Sequence, residues 1–167
     1  LFYSLYNDNL CRAVQLNIIY PDIKEIAKTK EKMPNLQIVF QLSNSMIKGK
    51  TPKQLAKDIR EYSDLVNYVL IDPSGGEGRE FNLENSVDIY NEVKDNFPHL
   101  TIGFAGGFTG QNVAPRVKDI RDRIKSDDFC IDAERGLRDK VTDEYGDDLL
   151  NISEAKHYLQ NSSVVLN

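Results

Sequence analysis

Short apolar runs alternate along the chain with stretches whose apolar positions recur at helical spacing. The runs predicted as strands are Ala13–Ile19, Gln37–Ser43, Tyr68–Asp72, Leu100–Ala105 and Phe129–Ala133. Each is followed by Gly, Pro, Asn, Ser or charged residues and then by a helical pattern. Ile23, Ile26 and Ala27 mark one helix after Pro21, and Val87, Tyr90 and Val93 mark another after Leu83. Val113, Val117, Ile120 and Ile124 form the stripe of a longer one. Thr51-Pro52-Lys53-Gln54 reads as a capping box with proline at the first helical position, before Leu55 and Ile59. Asn151 with Glu154 predicts a last helical start, leading through Ala155 and Leu159. The acidic stretch from Lys140 to Asp148 is predicted as a long loop.

Strand starts fall about 24 to 32 residues apart, the length of a βαβ unit. Runs that read as continuously apolar, separated by helices, predict a parallel sheet covered on both faces. Two closures fit: an open doubly wound sheet, or part of a (β/α)8 barrel. Five units do not close a barrel, which needs at least about 200 residues.

The whole chain, residues 1–167, is expected to be a single domain. A net charge of −5 and a pI near 5.1 argue against broad nucleic-acid binding, which needs a basic face. Lys28, Lys30 and Lys32 read as a solvated helix face. No apolar run reaches the ~20 residues of a membrane helix, and no secretory leader is read at Leu1. Cys11 and Cys130 lie outside any metal-ligand spacing, so neither a metal nor a structural disulfide is expected, and a reducing cytoplasm is the expected compartment.

The glycines carry the chemistry. Gly75, Gly76 and Gly78 follow the third predicted strand, Gly106 and Gly107 close the fourth, and Gly136 follows the fifth beside Arg135. Glycine-rich turns at the carboxyl ends of parallel strands let backbone N–H groups approach a phosphate without a Cβ in the way. A phosphorylated small molecule is therefore the expected ligand. Asp72, at the end of the third strand, can cap the loop that follows by accepting from its backbone N–H groups.

Several motifs resemble those of the phosphoribosylanthranilate isomerase family. Val69-Leu70-Ile71-Asp72 followed by Gly75-Gly76-Glu77-Gly78-Arg79-Glu80-Phe81-Asn82 is similar to that family's Leu-Leu-Asp … Gly-Gly-Ser/Thr-Gly … Phe-Asp signature. Ala105-Gly106-Gly107-Phe108, continuing to Asn112-Val113, resembles its Ala-Gly-Gly-Leu-x-x-x-Asn-Val. Val14-Gln15-Leu16-Asn17 resembles its fourth strand, and Phe129 to Gly136 stands at its eighth. The matches run in the family's order from about Val14 to Gly136. They imply a TIM (β/α)8 barrel of which this chain holds strands four to eight, the first three strand–helix units being missing from it. They also imply a cofactor-free Amadori rearrangement of a phosphoribosyl amine in tryptophan biosynthesis. Asp72 would then be the general acid, needing a carboxyl held above its reference of ~3.9 by burial or like charge. Gly75, Gly76, Gly78, Gly106, Gly107, Arg135 and Gly136 would surround the phosphate, and Asp132 would meet substrate hydroxyls.

The family's strand-one Lys-x-Cys-Gly, which carries its general base, does not occur here; Cys11 precedes the fourth strand and Cys130 reads as core. Asn17 stands where the family has histidine, and Glu134-Arg135 where it has two serines. A diverged, non-catalytic phosphosugar-binding protein on the same scaffold is the second expectation, and an unrelated open sheet the third. A five-unit sheet also exposes the strand edge beside Val14, so an oligomer or a partner covering that edge is expected.

Overall fold

The structure, a computed structural model, describes residues 2–74, 82–139 and 149–166. Five strands, β1 (Ala13–Leu16), β2 (Gln37–Ser43), β3 (Tyr68–Asp72), β4 (Thr101–Ala105) and β5 (Phe129–Asp132), form one sheet. All neighbours are parallel, and the order is β1-β2-β3-β4-β5 without a crossover. The fold is α/β. Helices α1 (Phe2–Asn7), α2 (Ile23–Lys32), α3 (Asn44–Ile47), α4 (Pro52–Ile59), α5 (Leu83–Asn96), α6 (Val113–Ile124) and α7 (Ile152–Leu166) fill the connections and the ends. Two short antiparallel strands, β6 (Arg138–Asp139) and β7 (Leu149–Leu150), flank the segment read as an acidic loop, which lies outside the described residues. No helix among the described residues is long and apolar enough to cross a membrane.

Local chemistry explains most of the helix starts. The Thr51 hydroxyl accepts from the Gln54 N–H while the Gln54 side chain accepts from the Thr51 N–H, closing the capping box around Pro52. Asp22 and Asn82 cap α2 and α5 in the same sense. Asn151 accepts from the Glu154 N–H at 2.9 Å, so α7 starts where the sequence predicts. The short helices α1 and α3 carry no such signal and were not anticipated.

Period-two alternation sorts the sheet's side chains onto two unlike faces. Ile38, Phe40 and Leu42 of β2, Val69 and Ile71 of β3, Ile102 and Phe104 of β4, and Phe129 of β5 point one way and are buried. They share one core with Leu55 and Ile59 of α4, Tyr90 and Val93 of α5, and Val113, Val117 and Ile120 of α6. The Phe104 ring stacks with Tyr90 at 5.7 Å and meets the edge of Phe129 at 5.9 Å, and Phe40 stacks on Tyr62 at 4.6 Å. Along the edge of this layer α4 packs on α5, α5 on α6 and α6 on α7.

The opposite face differs from the expected fully apolar, doubly covered sheet. It carries Gln15, Gln37, Gln41, Tyr68, Asp72, Cys130 and Asp132 and borders a cavity of about 290 Å³. The first strand is also shorter than predicted. Pairing stops at Leu16 opposite Phe40, the chain turns at Tyr20 (φ 49°), and Ile18 and Ile19 stand exposed. Among the described residues, β1 and β5 each pair on one side only.

Candidate functional site

Two loops at the carboxyl ends of β4 and β5 press backbone against backbone. Gly106 and Gly107 leave β4 with φ of 111° and 65°, conformations that side chains with a Cβ rarely adopt. The turn is then tied down by Asn112. Its amide donates to the Gly107 carbonyl at 2.8 Å and its oxygen accepts from the Thr109 N–H at 2.8 Å. Gly136, in the 3₁₀ turn Arg135–Leu137 after β5, sits against this loop. A Cβ there would overlap the Phe108 carbonyl oxygen and lie 3.0 Å from Thr109 Cγ2. From the other side α7 holds Gly110: its N–H donates to Glu154 at 2.6 Å and its carbonyl accepts from the Asn161 amide at 2.6 Å.

These loops enclose a small cleft of about 30 Å³, lined by Asp72, Ser74, Ala105–Phe108 and Asp132–Gly136. The register explains why two carboxylates meet there. Ser43 pairs with Asp72, Ile71 with Phe104 and Ala105 with Asp132, so Ser43, Asp72, Ala105 and Asp132 form one row across the sheet. The alanine methyl between the two acids leaves room above it. One row deeper, Leu70 and Cys130 close over Gly103, where an added Cβ would lie 2.8 Å from each. Asp132 borders both the cleft and the larger cavity.

Asp72 is 8% exposed and fully engaged. Its Oδ1 accepts from the Ser74 N–H (3.1 Å) and hydroxyl (2.6 Å), and its Oδ2 from the Gln41 amide at 2.7 Å. Gln41 in turn accepts from the Gln15 amide at 2.9 Å. Asp132 lies in less hospitable surroundings. Burial raises its carboxyl above the usual aspartate range, with the Asp72 and Glu134 charges adding to the effect. Burial likewise raises the Cys130 thiol, keeping it neutral, and pushes the Tyr158 phenol of α7 to about 12. Glu134 also forms an ion pair with Arg138 at 3.4 Å.

The Asp132 shift has a consequence for stability. A carboxyl whose folded pKa is raised binds its proton more tightly when folded, so its contribution is complete below the ordinary value of 3.8 and is lost as pH rises through the folded value. Asp132→Asn should therefore match the parent in melting temperature at pH 3.5. It should gain on the parent as pH climbs through the raised value, with the gap flat above it. Parallel thermal melts across pH would show a constant difference if Asp132 were an ordinary exposed carboxylate.

Of the residues expected at the site, Asp72, Gly106, Gly107, Asp132, Arg135 and Gly136 all line the one cleft. Gly75, Gly76 and Gly78 lie outside the described residues. Gln41, Gln15, Ser74 and Tyr158 were not anticipated. The first two were legible as polar positions alternating with Ile38, Phe40 and Leu42 on one strand and with Val14 and Leu16 on the other. Among the described residues no three His, Cys, Asp or Glu side chains converge as a metal site requires. No protein-family model matches the chain, and no curated protein is significantly similar to it.

Proposed function

We propose that the five-stranded sheet is a segment of a TIM (β/α)8 barrel whose strand ends hold a phosphorylated sugar. On that sugar the chain carries out an Amadori isomerisation of the phosphoribosylanthranilate isomerase type. The observation that carries the reading is the single cleft in which Asp72 and Asp132 share a row beneath the Gly106-Gly107 and Gly136 turns. An Amadori isomerisation of the proton-transfer type can be carried by positioned groups that give and take protons at the sugar's ring oxygen and C2. The barrel is supported by the strand order. A doubly wound sheet reverses its order at a switch point, and β1 to β5 run in sequence without one. Barrel enzymes also keep their sites at the carboxyl ends of the strands, often with phosphate held by the loops after the last two. In this reading further strand–helix units, or a second chain, cover the free edge of β1.

A non-catalytic phosphosugar-binding role is the second reading. It is favoured by the three donors on Asp72, an arrangement that also suits a carboxylate used only to tie its loop. Two measurements separate these cases. Ribose 5-phosphate, but not ribose, should raise the melting temperature, and Gly107→Val, which places a β-branched side chain at φ 65°, should abolish the rise. An unchanged shift in that variant would remove the phosphate site from this cleft. Incubation with anthranilate-linked phosphoribose, followed by chromatography, should then yield the 1-deoxyribulose product; binding without product would favour the non-catalytic role.

A further inference from the structure

The two acids of the cleft are held in opposite ways. Asp72 accepts three hydrogen bonds, two from Ser74 and one from Gln41. The Gln41 amide is aimed by Gln15, which occupies the Gln41 oxygen and leaves its NH₂ for Asp72. Donors of this kind favour a carboxylate. Asp132 receives no hydrogen bond from the described residues. It faces Asp72 of β3 across the Ala105 methyl, Glu134 and Arg135 on its own loop, Cys130 on its own strand, and Tyr158 of α7.

We propose that the single proton of this pair resides on Asp132, making Asp132 the general acid and Asp72 the general base of the isomerisation. The catalytic roles rest on the isomerase reading above; the location of the proton does not. The assignment exchanges the role that the family resemblance implies for Asp72. Burial and the Asp72 charge, which both raise the Asp132 carboxyl, act in the same sense.

The proton accounting closes with these two groups alone. Asp132 gives its proton to the furanose ring oxygen as the C1–O bond breaks; that bond's electron pair goes to oxygen, and the nitrogen lone pair forms C1=N. Asp72 then takes the C2 proton. The C2–H pair becomes C1=C2 and the C=N pair returns to nitrogen. The enol hydroxyl on C2 passes its proton to the Asp132 carboxylate while C1 takes the one held by Asp72. The ketone forms, and both carboxyls return to their starting states. Adjacent strands lie about 4.8 Å apart, so two acids two strands apart flank a sugar chain rather than touch one another.

Carbon-13 NMR of the full chain labelled at the aspartate carboxyls tests the proton directly. One carboxyl should titrate well above the ordinary aspartate range. Its signal should vanish in Asp132→Asn and should move back toward the ordinary range in Asp72→Asn, where the neighbouring charge is gone. If Asp72→Asn does not fold, the parent and Asp132→Asn spectra decide the matter between them. A high-titrating signal that survives Asp132→Asn, or the absence of any such signal in the parent, overturns the assignment. With anthranilate-linked phosphoribose, Asp132→Asn should lose about 10²- to 10⁴-fold in kcat and the alkaline limb of the pH profile. No turnover in a parent that shows the elevated Asp132 signal would refute the isomerase reading and leave the proton where it is assigned.

Discussion

Gly136→Val should destabilise the fold by about 3 kcal/mol, the upper end of the usual ~1–3 kcal/mol for overpacking, because the neighbour is rigid. The obstruction is backbone: a Cβ at this position overlaps the Phe108 carbonyl oxygen. A flexible side chain would swing aside, but this carbonyl belongs to a loop fixed at both ends. Asn112 ties it at Gly107 and Thr109, while Glu154 and Asn161 of α7 tie it at Gly110. Relief therefore requires the β5 turn to lift away from the β4 loop, opening the cleft that both build. Urea titration should show a lower midpoint with an unchanged slope, and the response to ribose 5-phosphate should be lost with it. Gly49 serves as the comparison. It has φ +77° but nothing within 4 Å of its missing Cβ, so Gly49→Ala should cost only about 1 kcal/mol of backbone strain. Equal effects at the two positions would mean that the loops are not packed as described.

That contact also marks the boundary of what the sequence conveys. A glycine at a strand end is visible as a letter, and three such turns in succession raise the expectation of a phosphate ligand. The reason Gly136 must be glycine is a neighbour 28 residues earlier in the chain, and no local pattern records it. The strands were legible because β-branched and aromatic runs are short and bounded by turn residues. The unlike faces were missed because strands were read as continuous apolar runs. In Gln37-Ile38-Val39-Phe40-Gln41-Leu42-Ser43 the alternation is present, with Phe40 and Leu42 toward the helices and Gln41 and Ser43 toward the open face. Glu154 shows the converse. Its place three residues after Asn151 marks a helix start, yet its carboxylate leaves the helix end to bind the Gly110 N–H. Local signals placed the elements; long-range hydrogen bonds decided what those residues do.

Phe104→Ala should cost about 3–5 kcal/mol, lowering the melting temperature by roughly 6–20 °C for a chain of this size. The ring is 0% exposed and is held by Tyr90 of α5 and Phe129 of β5, so its removal leaves a cavity between sheet and helices that rigid neighbours fill only in part. Phe104→Leu should retain most of the stability. The neighbours Gly103 and Ala105 point to the opposite face, where Ala105 separates Asp72 from Asp132. Well below its lowered midpoint, Phe104→Ala should therefore keep the elevated Asp132 titration and the ribose 5-phosphate response. Loss of stability without loss of site behaviour would mean that the sheet insulates its two faces, the helix-packed side supplying rigidity and the open side chemistry. If the Asp132 titration collapsed along with stability, the cleft would depend on packing across the whole sheet, and the carboxyl pair could not be treated as an independent unit.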